Sequence, residues 1–343
     1  MSSRRLPAEW EPQDGVLVAW PHERSDWHPW LSQVEPVFTE IVRQVSRFET
    51  ALVVAPKKES DRIAGLLQRA GAVMERVRLA GIDTNDTWTR DFGPITVEAD
   101  GAPLLLDFGF NGWGLKFAAD RDNLVTGRLH GMGTFGAVPR RVCGLILEGG
   151  SIESDGAGTI LTTAECLLNP NRNPHLTKKG IETALSAELG ADRFLWLTHG
   201  WLAGDDTDSH VDTLARLCPD GTIAYVRCDD PDDEHFRELA LMEEELQRLA
   251  TRDGRPYRLI PLPWPNAKYD DGERLPATYA NFLIVNGAVL VPTYRDPRDG
   301  AALDAIAAAF PDREVVGVDC LPLILQHGSL HCVTMHLPKG TLS

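Results

Sequence analysis

Apolar residues recur three and four positions apart in several stretches of the chain, a spacing that predicts amphipathic helices. Residues 35–48 place Phe38, Ile41, Val45 and Phe48 on one stripe. Residues 177–189 put Ile181, Leu185 and Leu189 on one face, with Thr177 placed to cap the helix start. DEHFRELALMEEELQRLA carries Phe236, Leu239, Met242, Leu246 and Leu249 at the same spacing, and AALDAIAAAF, from Ala301, is a shorter helical stretch. A further helix is expected at 60–71. Between these lie short continuous apolar runs that predict buried strands: ALVVAP from Ala51, TIAYV from Thr222, NFLIV from Asn281 and VVGVD from Val315. The glycine-rich region 111–135 shows no clear period.

The rhythm of these elements says more than any one of them. Helices centred near residues 183, 242 and 305 are each flanked by strands. Units of roughly 60 residues, each mixing strands with a helix, suggest a modular α/β fold, and five or so would use the whole chain. No Ser/Gly/Pro-rich linker or block of like charge divides the sequence, so one domain over residues 1–343 is expected.

Composition narrows the function. Hydrophobic residues at 43% and charged residues at 24% fit a globular protein, and the formal charge of −16 opposes a nucleic-acid partner, which demands a basic face. The same charge mildly favours cationic ligands. No apolar run reaches the length of about 18 residues that a membrane span requires. The N-terminal MSSRRLPAEWEPQDG has basic residues but no apolar stretch after them, which is unlike a secretory signal. The six cysteines show no C-x-x-C pair and no clustering, so reduced thiols in a cytoplasmic setting are expected.

Five stretches place polar residues beside glycine or inside apolar surroundings: NDTWTRDFGP (85–94), LEGGSIESDG (147–156), TTAECLLNPNRNP (162–174), GDDTDSHVD (204–212) and HGSLHCVT (327–334). Within them Asp91, Glu148, His210 and Cys332 are spaced by 57 (91 to 148), 62 (148 to 210) and 122 (210 to 332), the last being twice 61. One position per module thus recurs at the module period, with one module skipped, as expected of residues that meet on an axis. Taken singly, each has an ordinary explanation. Asp91 could pair with Arg90 in a turn, Glu148 could end a strand, and His210 could be structural. Cys332 could be a small core side chain. The NPNRNP segment after Cys166 reads as an ordered turn. On a strand, His210 and Asp212 would share a face.

A metal site would draw on His210, Asp212, His331 and Cys332. His331 and Cys332 are adjacent, and on a strand would point to opposite faces; no H-E-x-x-H or C-x-x-C motif supports the idea. One cysteine with a histidine and carboxylates elsewhere fits nucleophilic catalysis better.

In this order, W-T-R-D-F-G-P, E-G-G-S-I, T-x-x-C-L-L-N-P-N-R-N-P, D-x-T-D-x-H-x-D and H-C-V-T resemble the motifs of the agmatine deiminase family, which includes the bacterial type of peptidylarginine deiminase. The resemblance runs from Pro7 to Pro338. It implies a five-bladed pentein α/β propeller with pseudo-fivefold symmetry, its site in the central channel, and a deiminase that needs no cofactor or metal. Carried over by motif, the nucleophile falls on Cys332, the histidine on His210 and the catalytic glutamate on Glu148. The aspartates that grip the guanidinium fall on Asp91 and Asp212, and Trp88 lines the substrate's path.

A guanidinium is planar, cationic and rich in N–H donors, so two carboxylates from different modules can fix its plane. Its carbon is a poor electrophile, which favours a thiolate nucleophile and a two-step reaction. A small cationic guanidine is therefore the expected partner, with no nucleic acid and no membrane; a homo-oligomer is compatible with the sequence. Agmatine is the first choice, with peptidylarginine, free arginine or another alkylguanidine as alternatives. An amidinotransferase, a non-catalytic pentein-type binding protein and a metallohydrolase are the rival classes. Two departures bear on the substrate's tail: QHGSLHC replaces the usual GGGNIHC, and Ser209 stands where glycine is usual in D-x-T-D-G-H-x-D.

Overall fold

The computed structural model describes residues 3–342, so residues 1, 2 and 343 of the domain expected over 1–343 lie outside the described residues. The expected helices form at Leu31–Phe48, Ser60–Arg69, Lys178–Leu189, Phe236–Arg248 and Asp299–Ala309. Thr177 caps the third of these, accepting a hydrogen bond from the Gly180 amide at 3.3 Å. That helix ends on Gly190, whose φ of +74° closes the last turn. The region 111–135 lacks a period because its elements are short. An irregular turn at Gly112–Leu115, with Trp113 and Leu115 left-handed, precedes a helix at Val125–Gly131.

The expected strands form at Thr50–Ala55, Thr222–Val226, Leu283–Val285 and Glu314–Asp319. Thr50–Ala55 and Thr222–Val226 are buried on both faces, which is why each reads as an unbroken apolar run. NFLIV yields a shorter strand than expected, because Asn281 and Phe282 precede it.

The sheets repeat one motif: an antiparallel strand pair, a helix, then a strand parallel to the second of the pair. Ala215–Cys218 pairs antiparallel with Thr222–Val226, the helix Phe236–Arg248 follows, and Arg258–Leu262 adds in parallel. The same order holds for the sheets whose first strands are Ile95–Ala99, Ile152–Ser154 and Leu283–Val285. The fifth case joins the chain's two ends. Thr334–Pro338 pairs antiparallel with Gln13–Ala19, and Thr50–Ala55 adds in parallel after the helix Leu31–Phe48. Val77–Gly81 widens that sheet, Arg4–Arg5 adds to the sheet of Ile95–Ala99, and Lys268–Asp270 with Glu273–Leu275 forms a separate hairpin. A right-handed strand–helix–strand crossover is the favoured way to return to a parallel strand, and it covers one face of each sheet with its helix. The fold is mixed α/β, and its buried apolar residues form a connected cluster from Leu6 to Leu337.

Just before each first strand lies a short turn, and these five turns touch in a closed cycle. The Gly150 amide donates to Asp91 Oδ1 at 3.1 Å, joining 148–151 to 88–92. Gly150 also lies against His210, so close that a Cβ there would stand 2.7 Å from Nδ1. Thr278 Oγ1 donates to the Thr213 carbonyl at 2.8 Å, and the His331 amide to the Asn281 carbonyl at 3.1 Å. The Arg90 amide donates to the Cys332 carbonyl at 3.2 Å and closes the cycle.

Replacing the exposed-side cap, Thr177→Ala, should cost about 1 kcal/mol in chemical denaturation, with an unchanged denaturant slope. A change of slope would mean that the cap also affects packing.

Candidate active site

The five turns carry the residues singled out in the sequence. Asp91 lies four residues before the strand at Ile95, Glu148 four before Ile152, Asp212 three before Ala215 and Cys332 two before Thr334. The module skipped by the sequence spacing contributes Asn281, two residues before Leu283. Its side chain is wholly buried, and its Oδ1 accepts from the Cys332 amide at 3.2 Å and lies 3.3 Å from the Cys332 thiol. Its Nδ2 donates to the Asp212 carbonyl at 3.3 Å. Asn281 thus ties the cysteine turn to the aspartate turn. The signal that could have found it is its place immediately before an apolar run within the skipped module, although it lies ten residues past the midpoint of the 210–332 interval.

Two local expectations are corrected. His210 and Asp212 do not share a strand: His210 is extended and Val211–Thr213 is a single 3₁₀ turn. His331 and Cys332 lie in the turn before Thr334–Pro338, not on the strand. Strand alternation therefore governs neither pair. His331 points away from the thiol; its Nδ1 lies 2.7 Å from Asp212 Oδ2 and its Nε2 2.7 Å from Glu9 Oε2.

Asp91, Glu148, His210, Asp212 and Cys332 are all buried. Asp91 accepts from Trp113 Nε1 at 2.9 Å and lies 3.6 Å from His210 Nδ1. Burial, reinforced by the nearby Glu148, pushes its carboxyl up to about 7. Burial and Asp91 raise Asp212 well above the carboxylate range, and Asp212 Oδ1 has no hydrogen-bond partner among the described residues. No lysine or arginine among the described residues lies within ion-pair distance of either aspartate. Glu148 differs: Arg172 Nε donates to its two oxygens at 2.8 and 3.0 Å. Burial nevertheless keeps Glu148 raised, against that cation. Burial, with Arg172 nearby, lowers His210 strongly, so its imidazole is neutral, and its Nε2 makes no hydrogen bond among the described residues. Burial, then Asp212 and Asp91, raises the Cys332 thiol well above its ordinary value.

These groups sit at and beneath the floor of a cavity of about 450 Å³ lined in part by Cys332, Asp91, Trp88, Trp113 and Phe117. Trp88 packs between Trp27 and Trp113, with ring centroids at 5.6 and 6.4 Å. Gly328 lies under the Trp88 ring, where a Cβ would come within 2.1 Å of it; only glycine lets that backbone pass. Asp26, Asp86, Asp120, Asp122, Asp205 and Asp206 make the wall strongly acidic, and Arg24 and Arg121 are its basic members. Neither departing serine lines this cavity. Ser209 is buried with its Oγ 3.0 Å from Glu165 Oε2, and Ser329 shares a 2.8 Å hydrogen bond with the Tyr294 hydroxyl. Ser209 has φ of +61°, the left-handed conformation that makes glycine the easier residue there.

Among the described residues, two groups of side chains have ligand atoms close enough for a metal: Glu148, Cys166 and His210, and Glu9, Glu153 and His331. In the first, Arg172 already occupies the carboxylate; in the second, Arg216 bonds both carboxylates, at 3.2 Å to Glu9 and 2.5 Å to Glu153. The guanidinium groups of Arg172 and Arg216 thus already bond these carboxylates. The set of four weighed from sequence does not assemble as one group.

Residues 5–338 match the family described as Porphyromonas-type peptidyl-arginine deiminase. The chain belongs to this family. An agmatine deiminase of Pseudomonas aeruginosa is 33% identical over 97% of this chain and 95% of its own length. Among solved structures, a Porphyromonas gingivalis protein provisionally described as an arginine deiminase is 51% identical, with a TM-score of 0.94 over 99% of this chain and all of that one. A C. jejuni agmatine deiminase with substrate bound, in a Cys-to-Ser variant, is 39% identical, with a TM-score of 0.91 over 99% of this chain and 97% of that one. Among the described residues, no helix of this family member is long and apolar enough to cross a membrane.

The raised Asp91 pKa has a consequence for stability. A carboxyl with an ordinary value of 3.8, raised to about 7 by folding, stabilises the fold fully below 3.8 and loses that contribution as pH rises through 7. Asp91→Asn lacks this loss. Relative to wild type it should therefore gain stability between about pH 4 and pH 8, on the order of 2 kcal/mol. Denaturation at several pH values checks this; a pH-independent difference would contradict it.

Proposed function

We propose that this chain is a guanidine deiminase with agmatine as first-choice substrate, converting it to N-carbamoylputrescine and ammonia. The observation that carries this is the convergence of a cysteine, a histidine and three carboxylates, from four of the five turns, on one buried point beside an acidic cavity. On this reading the five repeated sheets are blades about a pseudo-fivefold axis in one catalytic domain, and the six unpaired cysteines suit a cytoplasmic enzyme.

Asp91 and Asp212 would hold the guanidinium plane, supplying the negative charge that its N–H donors need. Cys332 Sγ attacks the guanidinium carbon, and the thiol proton passes to the neutral His210. His210 then delivers that proton to the departing amino group, which leaves as ammonia, and an S-alkylthiouronium remains. In the second step His210 takes a proton from water as the oxygen attacks carbon. Collapse gives the ureido product and returns a proton to sulfur. One proton per turnover is left over, and Glu148, whose carboxyl burial favours in its neutral form, is placed beside His210 to take it.

Burial and neighbouring carboxylates hold Cys332 protonated, whereas a bound guanidinium would favour its thiolate. The apparent pKa for alkylation of Cys332 should therefore fall by about 1–3 units when an unreactive guanidinium is bound. An equally low value with and without the ligand would contradict the substrate-assisted step.

The wall also speaks to the substrate's tail. Burial and Asp122 push Asp86 up to about 8, and burial pushes Asp122 up to about 7, so a second cation there would be welcome. That suits agmatine, a dication. A second reading, arginine or an arginyl peptide, is favoured by Arg24 and Arg121 on the same wall, which could meet a carboxylate. Ammonia release from agmatine, arginine and a blocked arginyl peptide separates the readings, with mass spectrometry of products and Cys332→Ala as the control. Agmatine should give N-carbamoylputrescine, and the variant should lose at least about 10³-fold in kcat. Amidinated amine in place of ammonia would make the enzyme an amidinotransferase; turnover by Cys332→Ala would remove the cysteine from the mechanism.

A further inference from the structure

The NPNRNP segment, which the reaction above does not use, turns out to hold the only strong cationic contact to Glu148 among the described residues. Arg172 spends its whole guanidinium on fixed partners. Nε donates to Glu148, Nη1 to Asp208 Oδ2 at 2.6 Å and to Asn171 Oδ1 at 2.8 Å, and Nη2 to the Thr207 carbonyl at 2.8 Å. Its side chain is fully buried. The other oxygen of Asp208 accepts from Lys116 Nζ at 2.9 Å, and the same ammonium donates to the Asp206 carbonyl at 2.7 Å.

Lys116 belongs to the irregular loop that lines the cavity. Trp113, Phe117 and the left-handed Leu115 lie in that loop, and Trp113 reaches Asp91. Gly114 is packed on Asn171, where a Cβ would come within 2.2 Å of its side-chain nitrogen. One loop is therefore fastened to both ends of the site: to Asp91 through the Trp113 indole, and to Glu148 through Lys116, Asp208 and Arg172. Charges alternate along the second path, so each member fixes the next without adding net charge to a buried point.

We propose that Arg172 and Asp208 are positioning residues that couple the cavity-lining loop to Glu148. This rests on the reading of Glu148 as a proton acceptor in turnover. Arg172 orients the carboxylate toward His210 and favours its ionised form, while Asp208 offsets the Arg172 charge. The two residues therefore pull Glu148 in opposite directions.

The test is the pH dependence of kcat and KM for agmatine in the full-length chain, alongside thermal unfolding. Arg172→Gln should lower kcat by about 10²-fold, leave KM within about threefold and move the acid limb of kcat to higher pH by about one unit. Asp208→Asn should move the same limb the other way. Arg172→Lys, which keeps the cation, should return the limb toward wild type. A merely structural role moves stability and leaves the limb in place. Both limbs unmoved, or both displaced in one direction, in variants that unfold like wild type would overturn the coupling. Should Arg172→Gln fail to fold, Asp208→Asn decides alone, because Asp208 is partly exposed. Glu148→Gln separates the two readings. If it is inactive while the limbs stay put, only the coupling falls; if it is fully active, Glu148 carries no proton, and the coupling falls with it.

Discussion

Bringing acids and a thiol to one desolvated point is the constraint on which the rest of this molecule depends. Asp91 and Asp212 are buried together with no lysine or arginine among the described residues in ion-pair contact, an arrangement that folding opposes. Geometry has to be imposed from outside the pair. Five turns do this, each anchored by the strand that follows and tied to its neighbours by main-chain or side-chain hydrogen bonds. Gly149 and Gly150 are part of the same constraint. A Cβ on Gly149 would meet the Arg90 carbonyl at 2.2 Å, and one on Gly150 would meet His210, Asp91 and Asp212. The turns can close on each other only because that segment has no side chains.

The opposite side of the ring is held by charge that is paired. Arg216 is fully buried and reaches Glu153 and Glu9, and Glu9 reaches on to His331. His331 in turn shares a 2.7 Å hydrogen bond between its Nδ1 and Asp212 Oδ2. Asp212 is thus braced from behind by His331, while its Oδ1 has no hydrogen-bond partner among the described residues. Fully satisfied buried networks are rigid, and partly satisfied ones mark where function is spent. Here Asp212 Oδ1 and His210 Nε2 are among the buried atoms without a hydrogen-bond partner among the described residues, whereas the Glu9, Glu153 and Arg216 side chains behind the ring bond one another.

Much of this was legible in the sequence because it is periodic. Helices such as Lys178–Leu189 and strands such as Thr222–Val226 announce themselves by burial on one face or both, and the recurrence of polar residues before apolar strands follows the module length. What was missed has no period of its own. Asn281 lies ten residues off the midpoint of the 210–332 interval, and an amide carries no distinctive chemical signal until its partners, Cys332 and Asp212, are seen beside it. Arg172 sits in a segment that reads as a turn, and its link to Glu148 spans 24 residues of chain. His331 looked like a strand neighbour of Cys332 because alternation is the default before an apolar run; a tight turn at 330–333 defeats it. The skipped module does reach the same point, but what it supplies is an amide that holds the Cys332 turn, not another acid or base.

On the proposed reading, the separation between paired and unpaired charge also explains how one site can be quiet alone and reactive with a cation bound. In the protein alone, burial keeps the thiol protonated and the imidazole neutral, the combination least able to attack an electrophile or transfer charge. A guanidinium between Asp91 and Asp212 would reverse the sign of the field at Cys332. The same cation that supplies the electrophilic carbon would then favour the thiolate that attacks it. On the proposed reading, a neutral molecule of similar shape would gain little from the two aspartates and would leave the thiol as it was. Discrimination would then lie in the charge of the ligand as much as in its fit, and it would be strongest at this point of the cavity because water is excluded there.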